Sequence, residues 1–224
     1  MRAHFQRDLD QLQLHILDMA SLVSLAVHQT IRALQERQPS LAEEVIRGDV
    51  EIDREENFVE DECLKMLALH QPVAVDLRRI IAVLKINTDL ERMADLCVNI
   101  AERVVSMGQV PAVPFPDRLP QMADMTTAMV QGSLDAFINL DSTLARHILR
   151  LDDEVDGYNK DIIAEVVAQM KAQPAFVTQG LSLFSAVRHL ERIADHATNI
   201  AEDVVYLVEG EIIRHRPAQT AAAG

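Results

Sequence analysis

Apolar residues recur three and four positions apart along most of the chain, and prolines separate the stretches that carry this pattern. The spacing is typical of amphipathic α-helices, and proline is costly inside a helix. We therefore predict six helices, near residues 5–37, 41–70, 73–107, 117–140, 142–172 and 175–210. The Ser-Leu-Ala-Glu sequence at 40–43 predicts a capping box for the second helix, and Asp141 or Ser142 is suited to cap the fifth.

The two halves of the chain repeat each other. Residues 19–53 align with 122–156 without a gap, and 90–105 align with 190–205. Polar positions match as well as apolar ones: Leu-Glu-Arg-Met-Ala-Asp at 90–95 corresponds to Leu-Glu-Arg-Ile-Ala-Asp at 190–195. Short turns within each half favour antiparallel neighbours. The pattern predicts an all-α fold of two tandem, pseudo-symmetric three-helix bundles, at 1–108 and 117–216, with a linker at 109–116 and a flexible tail at 217–224.

Composition narrows the class of function. Seven glycines and eight prolines supply too few turns for an all-β fold, whereas 49% hydrophobic residues suffice for a packed core. The 35 acidic residues against 21 Lys and Arg give a net charge of −14. Because nucleic acid and anionic lipid both attract basic surfaces, we expect neither nucleic-acid binding nor direct membrane insertion. We find no signal peptide and no long apolar run, and we interpret Cys63 and Cys97 as small buried residues in a reducing compartment.

Acidic residues meet across the second and third helices. In an antiparallel hairpin, residues equally distant from the turn face each other, so a turn at 70–72 sets Asp53 opposite Glu91 and Asp49 opposite Asp95. Each pair on one helix is also spaced i, i+4, which places all four carboxylates along one seam. The same rule applied to a turn near 173–174 gives the second copy of this arrangement, formed by Asp152, Asp156, Glu191 and Asp195.

Four neighbouring carboxylates repel each other and must be protonated, solvated, paired with cations or bound to metal. One interpretation is a solvated acidic face or ion pairing with Arg92 and Arg192, although both arginines point about 100° away on an ideal helix. The other is metal binding, for which an all-oxygen ligand set suits hard ions such as Mg²⁺, Mn²⁺, Ca²⁺ or iron. His28, expected opposite Asp49, is a candidate additional ligand.

The repeated motif resembles a known family. Leu-Glu-Arg-x-Ala-Asp-x-x-x-Asn-Ile-Ala-Glu occurs at 90–102 and again at 190–202, and with two three-helix bundles it resembles the PhoU family of phosphate-specific transport system accessory proteins. The resemblance implies that the Glu-x-x-x-Asp signatures bind metal, which identifies Glu91, Asp95, Glu191 and Asp195 as expected ligands. Asp49, Asp53, Asp152 and Asp156 are added by the hairpin geometry alone. The expected ions are Mg²⁺, Mn²⁺, Zn²⁺ or iron.

The resemblance also implies a regulatory function. Such proteins link a phosphate ABC transporter ATPase to a phosphate-sensing histidine kinase and repress the phosphate-starvation response when phosphate is plentiful. We accordingly expect a cytoplasmic homodimer, recruited peripherally to inner-membrane complexes by its partners, with no catalytic residues. The alternatives are a metal store or di-metal carboxylate oxidase and a helical adaptor without metal. A ferritin-like oxidase uses Glu-x-x-His motifs, and no histidine here has Glu or Asp three residues before it.

Overall fold

The protein is described here by a computed structural model that covers residues 2–108 and 115–213. In this part of the chain there are no strands, and the all-α prediction is confirmed. Among the described residues, six long helices follow one another, with a short 3₁₀ turn, Pro174–Phe176, before the last: α1 Arg2–Glu36, α2 Pro39–His70, α3 Val75–Met107, α4 Leu119–Asn139, α5 Ser142–Ala172 and α6 Val177–Glu209.

One of the two predicted helix caps is correct. The Asp141 side chain accepts hydrogen bonds from the backbone N–H groups of Thr143 and Leu144, each at 2.9 Å, and so caps α5. The capping box at 40–43 is wrong, because α2 begins earlier, at Pro39, with Gln38 as its uncapped N-terminal neighbour. Proline is well suited to the first helical position, where its missing N–H leaves no bond unmade.

The core is aliphatic and rich in methionine, as the scarcity of aromatic residues requires. Its largest fully buried side chains come from both halves, among them Ile16, Met19, Ile86, Met93 and Met129. Cys63 and Cys97 are free and fully buried, as expected, and burial raises the pKa of each thiol to about 12. Both cysteines therefore act as small apolar residues.

The two three-helix bundles, α1–α3 and α4–α6, pack against each other through their third helices and, to a lesser extent, their first. Helices α3 and α6 are antiparallel along this contact, since Lys85 pairs with Asp203 and Ser106 lies against Ser182. The same register places Ala94 opposite Ala194, the equivalent residues of the two repeats. Both alanines are buried, and their small side chains let the two helices approach closely at the crossing.

Helix α1 combines two properties. From His4 to Glu36 it is the one described helix that is long and apolar enough, by length and composition alone, to cross a membrane. In the fold, however, it buries Leu12, Ile16 and Met19 against α2 and α3. Core helices of bundles often have such a composition, so the hydropathy of α1 follows from its position in the core.

The predicted linker and tail fall mostly outside the described residues. Of the linker at 109–116, residues 109–114 are not described, and neither is any part of the tail at 217–224. Phe115, where the description resumes, packs its ring under the guanidinium of Arg37, 4.0 Å away. This cation–π contact ties the start of the second half to the end of α1.

Candidate functional site

The first acidic seam consists of Asp49 and Asp53 on α2 with Glu91 and Asp95 on α3. The pKa of Asp49 is raised to about 6, first by burial and then by the negative charges of Asp53 and Asp95. One of these charges comes from the helix of Asp49 itself and the other from α3, the helix on which the hairpin geometry set Asp95. Asp53 and Asp95 are exposed, whereas Asp49 and Glu91 are half-buried, so the seam lies open to solvent along one side.

Glu91 is a second perturbed carboxyl of this seam. Its pKa is raised to about 7 by burial and by Asp95, with a smaller contribution from Glu56, and the charge of Arg92 opposes the shift. The Nε atom of Arg92 lies 3.6 Å from Oε2 of Glu91, so the expectation that this arginine points away from the seam is wrong. The long arginine side chain reaches back along the helix to its neighbour. Even so, one cation does not neutralise four carboxylates.

The second acidic seam consists of Asp152 and Asp156 on α5 with Glu191 and Asp195 on α6. Burial and the charges of Glu191, Asp152 and Asp156 raise the pKa of Asp195 to about 6, while His196 opposes the shift. The other three predicted members of this seam therefore all act on Asp195. The structure brings together the same arrangement in both halves of the chain, as the internal repeat implies.

Polar neighbours distinguish the second seam from the first. Thr198 donates its hydroxyl to Asp152 at 3.2 Å, and Arg188 donates to Oε1 of Glu191 at 2.9 Å. Asn159 donates a longer bond, 3.4 Å, to the same oxygen. Sequence analysis missed all three residues, together with Glu56 in the first seam. Asn159 and Glu56 occupy equivalent positions in the repeat, and each lies one helical turn after a predicted seam residue, Asp156 or Asp53. This spacing is the sequence signal that indicates both residues as neighbours of the seams.

The carboxylates do not form a ready-made metal site. Within 2–108 and 115–213, no three His, Cys, Asp or Glu side chains lie together closely enough to hold a metal ion as they stand. Their chemistry nevertheless suits a hard cation, because the ligand atoms would be carboxylate oxygens with other negative charges nearby. In addition, Oε2 of Glu191 is shielded from solvent and has no hydrogen-bond partner in the described part of the chain.

His28, the candidate additional ligand, lies elsewhere. Its Nε2 atom is 3.4 Å from Oε1 of Gln131, at the contact between α1 and α4. Gln131 is the residue that the repeat aligns with His28. The prediction that His28 faces Asp49 is therefore not supported by this contact, and we do not include His28 in the first acidic seam.

A further polar network joins the two bundles. Asp89 on α3 is 2.8 Å from Nδ1 of His196 and accepts a hydrogen bond from Asn199 at 3.1 Å. Four residues earlier, Lys85 donates to Asp203 at 3.0 Å. Asp203 and Asp89 are both buried, so each needs a partner of opposite charge or a donor. This network fixes the register of α3 on α6.

These features define a class of protein: a tandem repeat of two three-helix bundles, each with a carboxylate seam between its second and third helices. Comparison with known proteins identifies the family. The PhoU domain model matches residues 16–104 and 119–204, one match to each bundle, and the chain belongs to this family.

Similar proteins span nearly the whole chain. A phosphate-specific transport system accessory protein PhoU homolog from Pseudomonas putida is 37% identical over 214 residues, 94% of this chain and 83% of its own length. A protein with the same description from Aquifex aeolicus is 38% identical over 210 residues, 94% of this chain and 95% of its own.

Two solved structures have the same fold. The crystal structure of PhoU from Pseudomonas aeruginosa superposes with a TM-score of 0.90 at 36% identity, covering 92% of this chain and 100% of that one. The regulatory protein PhoU of the phosphate transport system from Streptococcus pneumoniae gives a TM-score of 0.85 at 30% identity, covering 93% and 99% respectively. The prediction of two three-helix bundles is thereby confirmed.

Proposed function

We propose that this protein regulates phosphate uptake and phosphate-starvation signalling as a metal-binding adaptor between a phosphate ABC transporter ATPase and a sensor histidine kinase. In this proposal it acts as a negative regulator when phosphate is abundant. The observation that carries the proposal is the match of both bundles to one family whose similar members are described as accessory or regulatory proteins of phosphate transport. That agreement covers the fold, the repeat and most of the sequence.

The two acidic seams supply the metal-binding part of the proposal. In the first seam Asp49, Asp53, Glu91 and Asp95 would hold the ion, and in the second Asp152, Asp156, Glu191 and Asp195. A bound Mg²⁺, Mn²⁺, Zn²⁺ or iron ion would supply positive charge that links neighbouring helices and cancels the repulsion between carboxylates. The raised pKa values of Asp49 and Asp195 support this, since they show that burial and neighbouring carboxylates already destabilise the ionised forms.

The surface of the protein is consistent with an adaptor. Exposed apolar residues lie at the turn between α2 and α3, including Leu69 and Val73, and at the equivalent end of the second bundle, where Val177 and Leu181 are exposed. A bilobed scaffold with apolar residues at one end of each bundle can present two similar contact regions to larger partners. We propose that the protein works in the cytoplasm, as a homodimer, and reaches the membrane through such partners.

A gene-deletion strain with a phosphate-starvation reporter tests the proposed function. We expect the deletion to leave the reporter active in phosphate-rich medium and the wild-type chain to restore repression. Wild-type protein should also be recovered from detergent-solubilised membranes together with the transporter ATPase and the kinase. Normal repression in the deletion strain would contradict the regulatory proposal.

Variants separate the contribution of the seams from that of the scaffold. The double variant Asp95→Asn/Asp195→Asn should restore repression less well than wild type if metal binding is part of the function. Asp124→Asn, which removes one carboxylate from the exposed surface of α4, is the control and should complement fully. Full complementation by the double variant would show that regulation does not need the seams.

A further inference from the structure

We propose that the contact between the two bundles contains a binding site for a small tetrahedral oxyanion, formed by Arg103 of α3 with His189 and Arg192 of α6. The site is distinct from the acidic seams, and its ligand is inorganic phosphate or an anion of the same shape and charge. The proposal goes beyond the regulatory function above and rests on the contacts between α3 and α6.

The pseudo-twofold relation between α3 and α6 produces two equivalent ends of one interface, and the acidic residues of one end are replaced by basic residues at the other. At the first end, the buried acids Asp89 and Asp203 have His196 and Lys85 as partners, at 2.8 and 3.0 Å. At the second end, the repeat substitutes His189 for Asp89 and Arg103 for Asp203. The first end is therefore a network of acids and bases, whereas the second presents basic groups in the positions of the acids.

The basic residues of the second end form no ion pairs within the described part of the chain. In the part of the chain that the structure describes, which includes every Asp and Glu of the sequence, Arg103 and Arg192 form no ion pair with a carboxylate. Moreover, Nε of Arg103 and Nδ1 of His189 are shielded from solvent and have no hydrogen-bond partner there. Buried polar atoms without partners are rare in folded proteins, and here two of them belong to basic residues on facing helices.

The register of the two helices brings the basic side chains to one stretch of the interface. The pairing of Lys85 with Asp203 and of Ser106 with Ser182 also sets Arg103 opposite Ser185, one turn before His189. Burial, followed by the positive charges of Arg192 and Arg103, lowers the pKa of His189. Nε2 of His189 lies 3.2 Å from the Ser185 hydroxyl. When that hydroxyl donates to Nε2, the neutral ring carries its proton on Nδ1, and the unpartnered Nδ1–H becomes a donor for an anion.

A tetrahedral oxyanion fits this donor set. The guanidinium of Arg103 offers several N–H groups in a planar fork, which matches two oxygens of a phosphate or sulfate ion. His189 adds a neutral donor, and Arg192 adds a second positive charge. The protein as a whole carries a charge of −14, so an anion would be repelled from most of its surface and held only where basic groups are left without acids.

An NMR titration of the purified full-length protein tests the site directly. Inorganic phosphate, sulfate and chloride are added separately at matched ionic strength, and the signals of the histidine rings are followed. We expect phosphate to shift the His189 signals in a saturable manner and chloride to leave them unchanged. Saturation by sulfate as well would support a general oxyanion site, and a response to phosphate alone would support a phosphate-selective one. The absence of a saturable shift with either oxyanion would overturn the proposal.

Variants of Arg103 locate the binding. Arg103→Gln should weaken phosphate binding at least tenfold, and Arg103→Lys should weaken it less, because lysine keeps the charge but loses the fork. Arg32→Gln, which removes an equal charge from exposed α1, is the matched control and should bind as wild type does. Circular dichroism confirms that each variant is folded. Equal affinity of folded Arg103→Gln and wild type would overturn the proposal. Because no other protein is present, that result would leave the regulatory proposal intact.

Discussion

His28 and Gln131 are equivalent residues of the two repeats, and they contact each other: Nε2 of His28 lies 3.4 Å from Oε1 of Gln131. Two equivalent residues meet in this way only where a pseudo-twofold axis passes between them. The register of α3 on α6 gives the same result, since it sets Ala94 opposite Ala194. The two bundles are thus related by one axis that passes through the α1–α4 and α3–α6 contacts.

A larger side chain in place of Ala94 or Ala194, the alanine pair at this axis, should destabilise the protein. We expect Ala94→Leu to lower the free energy of unfolding by about 1–3 kcal/mol, because the added methyl groups overpack the α3–α6 crossing. Thermal and urea unfolding followed by circular dichroism measure the change. Ala68→Leu, the same substitution on an exposed face of α2, is the control and should have little effect. Equal stability of both variants would show that the two helices do not cross at Ala94.

The repeat and the spacing of apolar residues were enough to predict six helices, two bundles and the carboxylates that meet between neighbouring helices. These features depend on helical periodicity and short turns, which the sequence carries locally. The contact between the bundles could not be predicted in this way, because neither helical periodicity nor the internal repeat determines how the two bundles pack against each other. The links from Asp89 to His196 and from Lys85 to Asp203 join residues more than a hundred positions apart. Helical periodicity gives the direction of a side chain from the helix axis but not how far a long side chain extends. The contact between Arg92 and Glu91 was therefore not predicted.

The two helix caps provide a matched pair of variants. Asp141→Ala should reduce stability by about 1 kcal/mol, because it leaves the N–H groups of Thr143 and Leu144 without their acceptor. Ser40→Ala should change stability little, because α2 begins at Pro39 and Ser40 is exposed inside its first turn. Chemical denaturation of both variants decides between the observed helix start and the capping box. A larger loss for Ser40→Ala than for Asp141→Ala would contradict the structure.

The acidic seams predict an unusual response to pH in metal-free protein. The pKa values of Asp49 and Asp195 are raised to about 6 and that of Glu91 to about 7, so the folded chain binds protons more tightly than the unfolded chain. These groups should therefore add stability as the pH falls from 7 towards 5, and remove it as the pH rises again. Melting temperatures measured across this range after chelation provide the test.

The variant Asp95→Asn/Asp195→Asn serves as the reference for this pH response. It removes two carboxyl groups, of which Asp195 has a raised pKa, and it relieves the repulsion on Asp49 and Glu91. Its gain in stability between pH 7 and 5 should therefore be smaller than that of wild type. In metal-loaded wild type the trend should reverse, because protons compete with the ion for the carboxylates. Identical pH profiles for metal-free wild type and the variant would mean that the seams do not perturb these carboxyls.

The central claim, that each acidic seam holds metal, is tested most directly by calorimetric titration of metal-stripped protein with Mn²⁺. We predict saturable binding to wild type and to the control Asp124→Asn. Asp95→Asn and Asp195→Asn should each lose the binding of their own seam and keep that of the other, and the double variant should bind none. Flat titrations of wild type with Mn²⁺, Mg²⁺, Zn²⁺ and Fe²⁺ would contradict the claim and leave the seams as solvated acidic surfaces.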